Sequence, residues 1–310
     1  MASGSKKVII AALIGNTLIS ITKFFAASIT GSAAMLSEGI HSLVDTGNQV
    51  LLLYGLKRAA KPADAEFPFG HGKEIYFWSF VVAILIFSVG AGISIYQGIN
   101  HIYHPTELHD PTINYIVLGM AILFEGAAFL FALKEFNKVR GNLGYVEAVH
   151  SGKDPSLFVV LFEDFAALLG LFVALIGITL AHITHNPLWD GMASVVIGVI
   201  LGLTAIWLAY ETKSLLIGEG ADPKIVEDIK NIAAKYDGIE QINEVLTLHM
   251  GPEFLLVNIS IDFNNDLPAG KVEQTIAAIS ADIKSTHPFA KKIFIEAEAA
   301  KPSIIKATQD

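Results

Sequence analysis

Six apolar runs, each about 20 residues or longer, dominate the chain, at roughly 8–29, 34–57, 75–103, 112–136, 155–182 and 187–212. A run of that length matches the hydrocarbon thickness of a bilayer, where the backbone must satisfy its own hydrogen bonds, so each is expected as a membrane-spanning helix. The links 30–32 and 185–187 are too short for anything but tight turns, which makes spans 1 and 2, and spans 5 and 6, antiparallel neighbours. Composition agrees: 53% of residues are hydrophobic and 16% charged, against about 25% charged in a soluble domain.

The charges are sorted by side. Lys6, Lys7, Lys57, Arg58, Lys61, Lys73, Lys134, Lys138, Arg140, Lys153 and Lys213 all fall on one face of a six-span arrangement. The opposite loops hold neither Lys or Arg, and the third-to-fourth connection offers His101, His104, Glu107, His109 and Asp110. The positive-inside rule then places both termini in the cytoplasm. Lys6-Lys7 before the first run resembles a signal peptide, but no small-residue cleavage site follows, so an uncleaved span is expected. The reading implies an integral protein, best accommodated in a bacterial inner (plasma) membrane. Segment 139–153 is mixed in polarity and reads as a connector or short interfacial helix.

After about residue 217 the chain is as charged as a soluble domain, giving expected units of 1–217 (six-helix transmembrane), 218–300 (cytoplasmic, regulatory or dimerising) and a tail, 301–310. Asp222-Pro223 reads as a helix start and Gly238 as its stop. Val245–Leu248 and Leu255–Phe263 read as strands joined at Gly251-Pro252, Pro268–Thr286 as a helix, and Lys292–Ile295 as a third strand. The order αββαβ predicts a small ferredoxin-like α+β layer on an otherwise all-α membrane protein. Its open sheet suits a homodimer. The net charge of −9 argues against nucleic acid, and the absence of cysteine excludes thiolate metal sites.

Within the apolar runs lie residues that do not belong in hydrocarbon. A charge at mid-bilayer costs roughly 2.5–3.5 kcal/mol or more, so such residues default to function. In span 2, His41 and Asp45 are four apart and stack on one helical face, with Glu38, Asn48 and Gln49 extending the stripe. In span 5, Glu163 and Asp164 interrupt 157–175. Adjacent helical residues diverge by about 100°, so one is expected to coordinate and the other to flank. His41, Asp45 and Asp164 supply one nitrogen and two carboxylates, a set suited to Zn2+, with Glu163, Glu38 or water in fourth position. Fe2+, Mn2+, Co2+ and Cd2+ are alternatives. Glu38 and Glu125 are candidates for a proton path; Lys23 reads as snorkelling or as a partner for Glu125.

Taken together, these residues resemble the cation diffusion facilitator family of divalent metal/proton antiporters, in a form most like a mammalian zinc-transporter-9-like branch. The resemblance rests on Ser37-Glu38…His41-Ser42…Asp45, on Glu163-Asp164…Gly170, on the loop Asp64…Phe69-Gly70-His71-Gly72-Lys73-Glu74, and on Lys213–Glu219 after span 6. It implies two ligands spaced by four in each of spans 2 and 5; Val160 stands where the fourth would be. It implies a second metal site at Asp64 and His71. It also places Asn243, Ser260, Glu296 and Glu298 where tail metal ligands would lie, so a tail site is expected to be altered or absent.

The expected activity is efflux of a divalent cation, first of all zinc, exchanged for protons by alternating access. An intramembrane metalloenzyme and a non-transporting metal sensor or scaffold are the alternatives; the chain has no His-Glu-x-x-His segment. Because cysteine is absent, topology is directly testable. Single-cysteine variants Lys153→Cys and His109→Cys in sealed right-side-out vesicles should react with an impermeant maleimide only from inside and only from outside, respectively; labelling from one face would refute the orientation.

Overall fold

The computed structural model describes residues 3–105, 111–141 and 143–299. Eight helices come first: α1 (Ser3–Thr30), α2 (Ala33–Ala59), α3 (Glu74–Leu85), α4 (Gly92–Tyr103), α5 (Thr112–Arg140), α6 (Tyr145–Ser151), α7 (Pro155–Thr184) and α8 (Leu188–Ile217). A π-helical turn, Ile86–Ala91, joins α3 to α4, so 74–103 is one continuous helical rod. Among the described residues, five rods are long and apolar enough to cross a membrane: Leu13–Thr30 of α1, Glu74–Tyr103, α5, α7 and α8. The chain is an integral membrane protein. α2, 27 residues long, is not among the five. Its interior spends Glu38, His41, Asp45, Asn48 and Gln49 where its neighbours have aliphatic residues, so the polar stripe itself lowers its hydropathy.

Local chemistry sets the helix ends. Gly31 (φ 73°) turns the chain after α1, and Ser32 caps α2 by accepting from the Met35 N–H. Asp154 caps α7 through the Ser156 N–H, with Pro155 in the first turn, where its missing N–H costs nothing. The segment expected as a connector is resolved into the last turn of α5 and the short α6.

Packing divides each rod into two faces. On α1, Ile14, Leu18, Ile21, Phe25 and Ile29 form an exposed stripe, while Ile19, Ser20, Lys23, Ala26, Ala27 and Thr30 are buried. An exposed ridge of that size is a liability in water and the natural surface in lipid. α1 packs on α2 and α5, α5 on α7, and α7 on α2, closing a four-helix group around the polar stripe. The α4 and α8 rods approach through glycine: a Cβ on Gly98 would meet the Gly191 carbonyl oxygen and Val195 N at 2.7 Å, and one on Gly198 would meet Ile95 N at 2.9 Å.

A second compact unit comprises 61–73 together with the chain from Ser214. The loop 61–73, expected with the membrane domain, clusters here because Gly72 lies flat against the backbone of Met250 and Gly251, where a side chain has no room. Beyond it come α9 (Pro223–Ala233), β1 (Ile239–Gly251), β2 (Phe254–Phe263), α10 (Ala269–Thr286) and β3 (Lys292–Ala297). Strand order is β1-β2-β3; β1 and β2 form an antiparallel hairpin, and β3 returns parallel to β2 through α10. Ile229, Ile232, Ile279 and Ile283 of the helices close over Leu255, Val257, Ile259, Ile261 and Phe263. Two expectations move. α9 ends at Ala233, and Gly238, at φ 86°, serves the entry to β1 instead of the helix stop. β1 is also longer than its Val245–Leu248 core, because register shifts at Ile239/Gln241 and Ile242/Glu244 break the alternation that marks a strand in sequence.

Replacing Gly98 by Val should force α4 and α8 apart. The expected cost is about 1–3 kcal/mol, read as a lower melting temperature in detergent; an unchanged melt would contradict the close packing.

Candidate metal and proton site

The site is built on α2 by helical spacing. Its buried face carries Glu38, His41, Ser42, Asp45, Asn48, Gln49 and Leu52. His41 Nδ1 lies 3.3 Å from Asp45 Oδ1, one turn along. Several polar atoms on this face are buried without a hydrogen-bond partner among the described residues: Glu38 Oε1, both His41 ring nitrogens, Asp45 Oδ1, Asn48 Oδ1 and Gln49 Oε1. Each such atom costs about 1–3 kcal/mol. A folded chain tolerates a run of them where an ion or water supplies the missing partners.

α7 faces this stripe with Glu163. The α7 residues Val159, Glu163, Ala166, Gly170 and Leu171 are buried, whereas Val160 and Asp164 lie on the neighbouring, half-buried face. Asn48 Nδ2 donates to Glu163 Oε1 at 2.6 Å, and the Glu163 carboxyl also meets that of Asp45. Two buried carboxyls in contact require a proton or a metal cation between them. Two turns along α7, Gly170 leaves room for Glu38 Oε1. Of the two neighbouring carboxylates, Glu163 is the one that meets α2, and Asp164 stands one residue around the helix. Asp164 lies within electrostatic reach of Glu163 and Glu125, and no side-chain hydrogen bond or ion pair of Asp164 is found among the described residues. Among the described residues, no three His, Asp or Glu are close enough together to enclose a metal ion.

Lys23 does not snorkel. It is fully buried, and its Nζ donates to Glu38 Oε2 (3.0 Å), Ser42 Oγ (2.8 Å) and Glu125 Oε1 (2.9 Å). Both proton-path candidates thus converge on one ammonium.

Asp190, in the first turn of α8, is a residue that sequence reading missed. Completely buried, it accepts from Ser32 Oγ at 2.6 Å and from the Ala33 N–H at 2.5 Å, capping α2 from another helix, with His101 Nε2 3.7 Å away. The available signal was an acid side chain at the start of the sixth apolar run.

In the second unit, His71 Nε2 pairs with Asp64 Oδ2 at 2.9 Å, and Phe67 packs on the ring. The His71 contact, then the Phe67 N–H, hold the Asp64 carboxyl below its ordinary range. That contribution is therefore present above the ordinary carboxylate pKa and fades as pH falls through the lowered value. His71 Nδ1 is buried without a partner. At the tail positions, Asn243 donates to Ser260 Oγ (3.1 Å) and the Glu298 carbonyl (3.0 Å), and Ser260 Oγ donates to Glu298 Oε2 (2.6 Å). A hydrogen-bond cluster fills that place, and Glu296 stands on β3.

The cation efflux transmembrane domain family matches residues 9–217, and the chain belongs to that family. It is 35% identical over 264 residues to the mitochondrial proton-coupled zinc antiporter SLC30A9 of Xenopus laevis, covering 84% of this chain and 47% of that protein. The human protein of the same name is 33% identical over 263 residues, covering 84% and 46%. The chain thus spans about half the length of these relatives. The manganese efflux system protein MneP of Bacillus subtilis is 22% identical over 300 residues, covering 94% and 95%. These relatives support the zinc-transporter-9-like branch, and the family is one of cation transporters, not enzymes, which removes the metalloenzyme alternative.

Glu163→Gln should weaken Zn2+ binding by more than about tenfold, and Asp164→Asn by less, in equilibrium dialysis of the purified protein; the reverse order would return the ligand role to Asp164. His71→Ala should let the Asp64 carboxyl rise part of the way toward its ordinary range, the Phe67 N–H still holding it down, as followed by NMR titration of labelled aspartate; an unmoved carboxyl would contradict the His71 contact.

Proposed function

We propose that this chain exports a divalent metal cation, zinc foremost, in exchange for protons. The observation that carries the reading is the meeting of Asp45 and Glu163 beside His41 on a stripe of unsatisfied buried polar atoms. His41, Asp45 and Glu163 are the proposed protein ligands, with Asp164 as the alternate carboxylate one residue around α7. The imidazole favours Zn2+, Fe2+, Co2+ or Ni2+ over Mg2+ and Ca2+, while the carboxylates also suit Mn2+, and Cd2+ is a further alternative; the zinc and manganese named for the relatives fit that range.

Exchange follows from the ligands. A metal binds neutral imidazole and ionised carboxylate, so loading expels protons and protonation expels metal. If the four-helix group opens alternately to either side, metal leaves where protons enter, the two cations using the same groups in turn. α2 is the sixth span in this reading, both termini face the cytoplasm, and the host is a bacterial plasma membrane. The αββαβ unit, whose edge strands β1 and β3 expose Leu246 and Phe294, is the proposed regulatory and homodimerising part. Asp64 and His71, with its unpartnered Nδ1, are a second, loop-borne metal site.

In proteoliposomes with a trapped pH dye, Zn2+ should move with counter-flow of protons, and Asp45→Ala should cut that flux by about a hundredfold or more. Acidifying the metal-loaded side should slow uptake. Metal binding without flux would favour the sensor or scaffold reading, and undiminished flux in Asp45→Ala would remove the site.

A further inference from the structure

Three of the polar contacts inside the membrane domain converge on one point, and a side chain occupies it. The Lys23 ammonium has three N–H donors, and each has an acceptor: Glu38 and Ser42 of α2, and Glu125 of α5. Lys23 and Glu38 are fully buried and Glu125 nearly so. The cluster is not balanced. One ammonium faces two carboxylates, and Glu38 Oε1 and Glu125 Oε2 remain buried without partners among the described residues. Glu38 Oε1 points at Gly170, the one place on that turn of α7 with no side chain to exclude it.

The position matters as much as the composition. Glu38 precedes His41 by three residues and Asp45 by seven on the same face of α2, so the cluster lies about 10 Å from Asp45 along the axis. Glu163 and Gly170 are spaced identically on α7. The same pair of helices therefore presents oxygen ligands at two levels: Asp45 with Glu163 at one, and Glu38 at the other, joined there by Ser42 and Glu125.

We infer that Glu38, Ser42 and Glu125 form a second cation-binding station in the membrane domain, occupied in this conformation by the tethered ammonium of Lys23, which competes with a divalent metal ion for the same oxygens. Two carboxylates and a hydroxyl are a hard oxygen set suited to a divalent cation. Lys23 supplies only one positive charge to it, which leaves the unpartnered oxygens as its uncovered part. The inference deepens the transport reading, since a station one step along the stripe from His41 gives the metal somewhere to go, but its test does not depend on transport.

The test is the number of metal ions bound by the full-length protein in detergent, with Zn2+ or Mn2+ alone as probe, by equilibrium dialysis and elemental analysis. Lys23→Ala should bind about one more ion per chain than its parent, and adding Glu125→Gln should abolish the gain. The same gain should appear in an Asp45→Ala background. That arm separates the two readings: a gain there supports the station whether or not Asp45 belongs to a transport site. A folded Lys23→Ala protein that binds no additional ion, its carboxyls neutralised by protons instead, overturns the station. If Lys23→Ala does not fold, Lys23→Met keeps the aliphatic stem and should be rescued by Zn2+ during purification; failure of both variants in excess Zn2+ and Mn2+ also overturns it.

Discussion

A charge inside a membrane protein must be matched within a few ångströms, and here the matching joins the helices that form the site. Lys23 ties α1 to Glu38 of α2 and to Glu125 of α5. Asn48 and Asp45 tie α2 to Glu163 of α7. Asp190 ties the start of α2 to α8. Apolar packing between helices gains little over packing against lipid, so polar contacts of this kind, with close glycine approaches, carry much of the specificity of assembly. α2 takes part in each of these contacts except that between Lys23 and Glu125. It is both the most polar of the long helices and the axis around which the others are arranged.

That dual role explains the chemistry on offer. A face able to bind a cation must hold oxygen and nitrogen ligands whose demands are unmet in its absence. The same unmet demands would destabilise the protein if they were left to lipid. Burial against Gly170, Ala166 and the small residues of α1 keeps them enclosed, while the outward ridges of α1, α5 and α7 face hydrocarbon. A stripe of partly satisfied polar atoms, expensive in a purely structural helix, becomes sensible when protons and metal ions take turns in it.

Much of this was legible in the sequence, for identifiable reasons. Hydropathy marks the long rods because their period is long and their interruptions few, and His41 with Asp45 is legible because a spacing of four fixes a shared face. Which of Glu163 and Asp164 faces α2 was not legible. Neighbours on a helix point about 100° apart, and only packing chooses between them; the chain buries the Val159–Glu163 face and leaves Val160 and Asp164 beside it. Val160 and Asp164 share one half-buried side of α7, and Glu163 stands on the buried side next to it. For Lys23 the sequence left snorkelling and pairing with Glu125 both open, because that partner lies on another helix 102 positions away, and packing chose the pairing. Asp190 escaped for the same reason, its partners lying some 157 residues earlier.

The central claim is that metal and protons compete for the carboxyls of Asp45 and Glu163. It is tested most directly by titrating Zn2+ into the purified protein by calorimetry in buffers of different ionisation enthalpy, which counts protons released per metal bound. Proton release at neutral pH that falls in Glu163→Gln is the predicted result. Zinc binding with no proton release, or with a release that Glu163→Gln leaves unchanged, would contradict it.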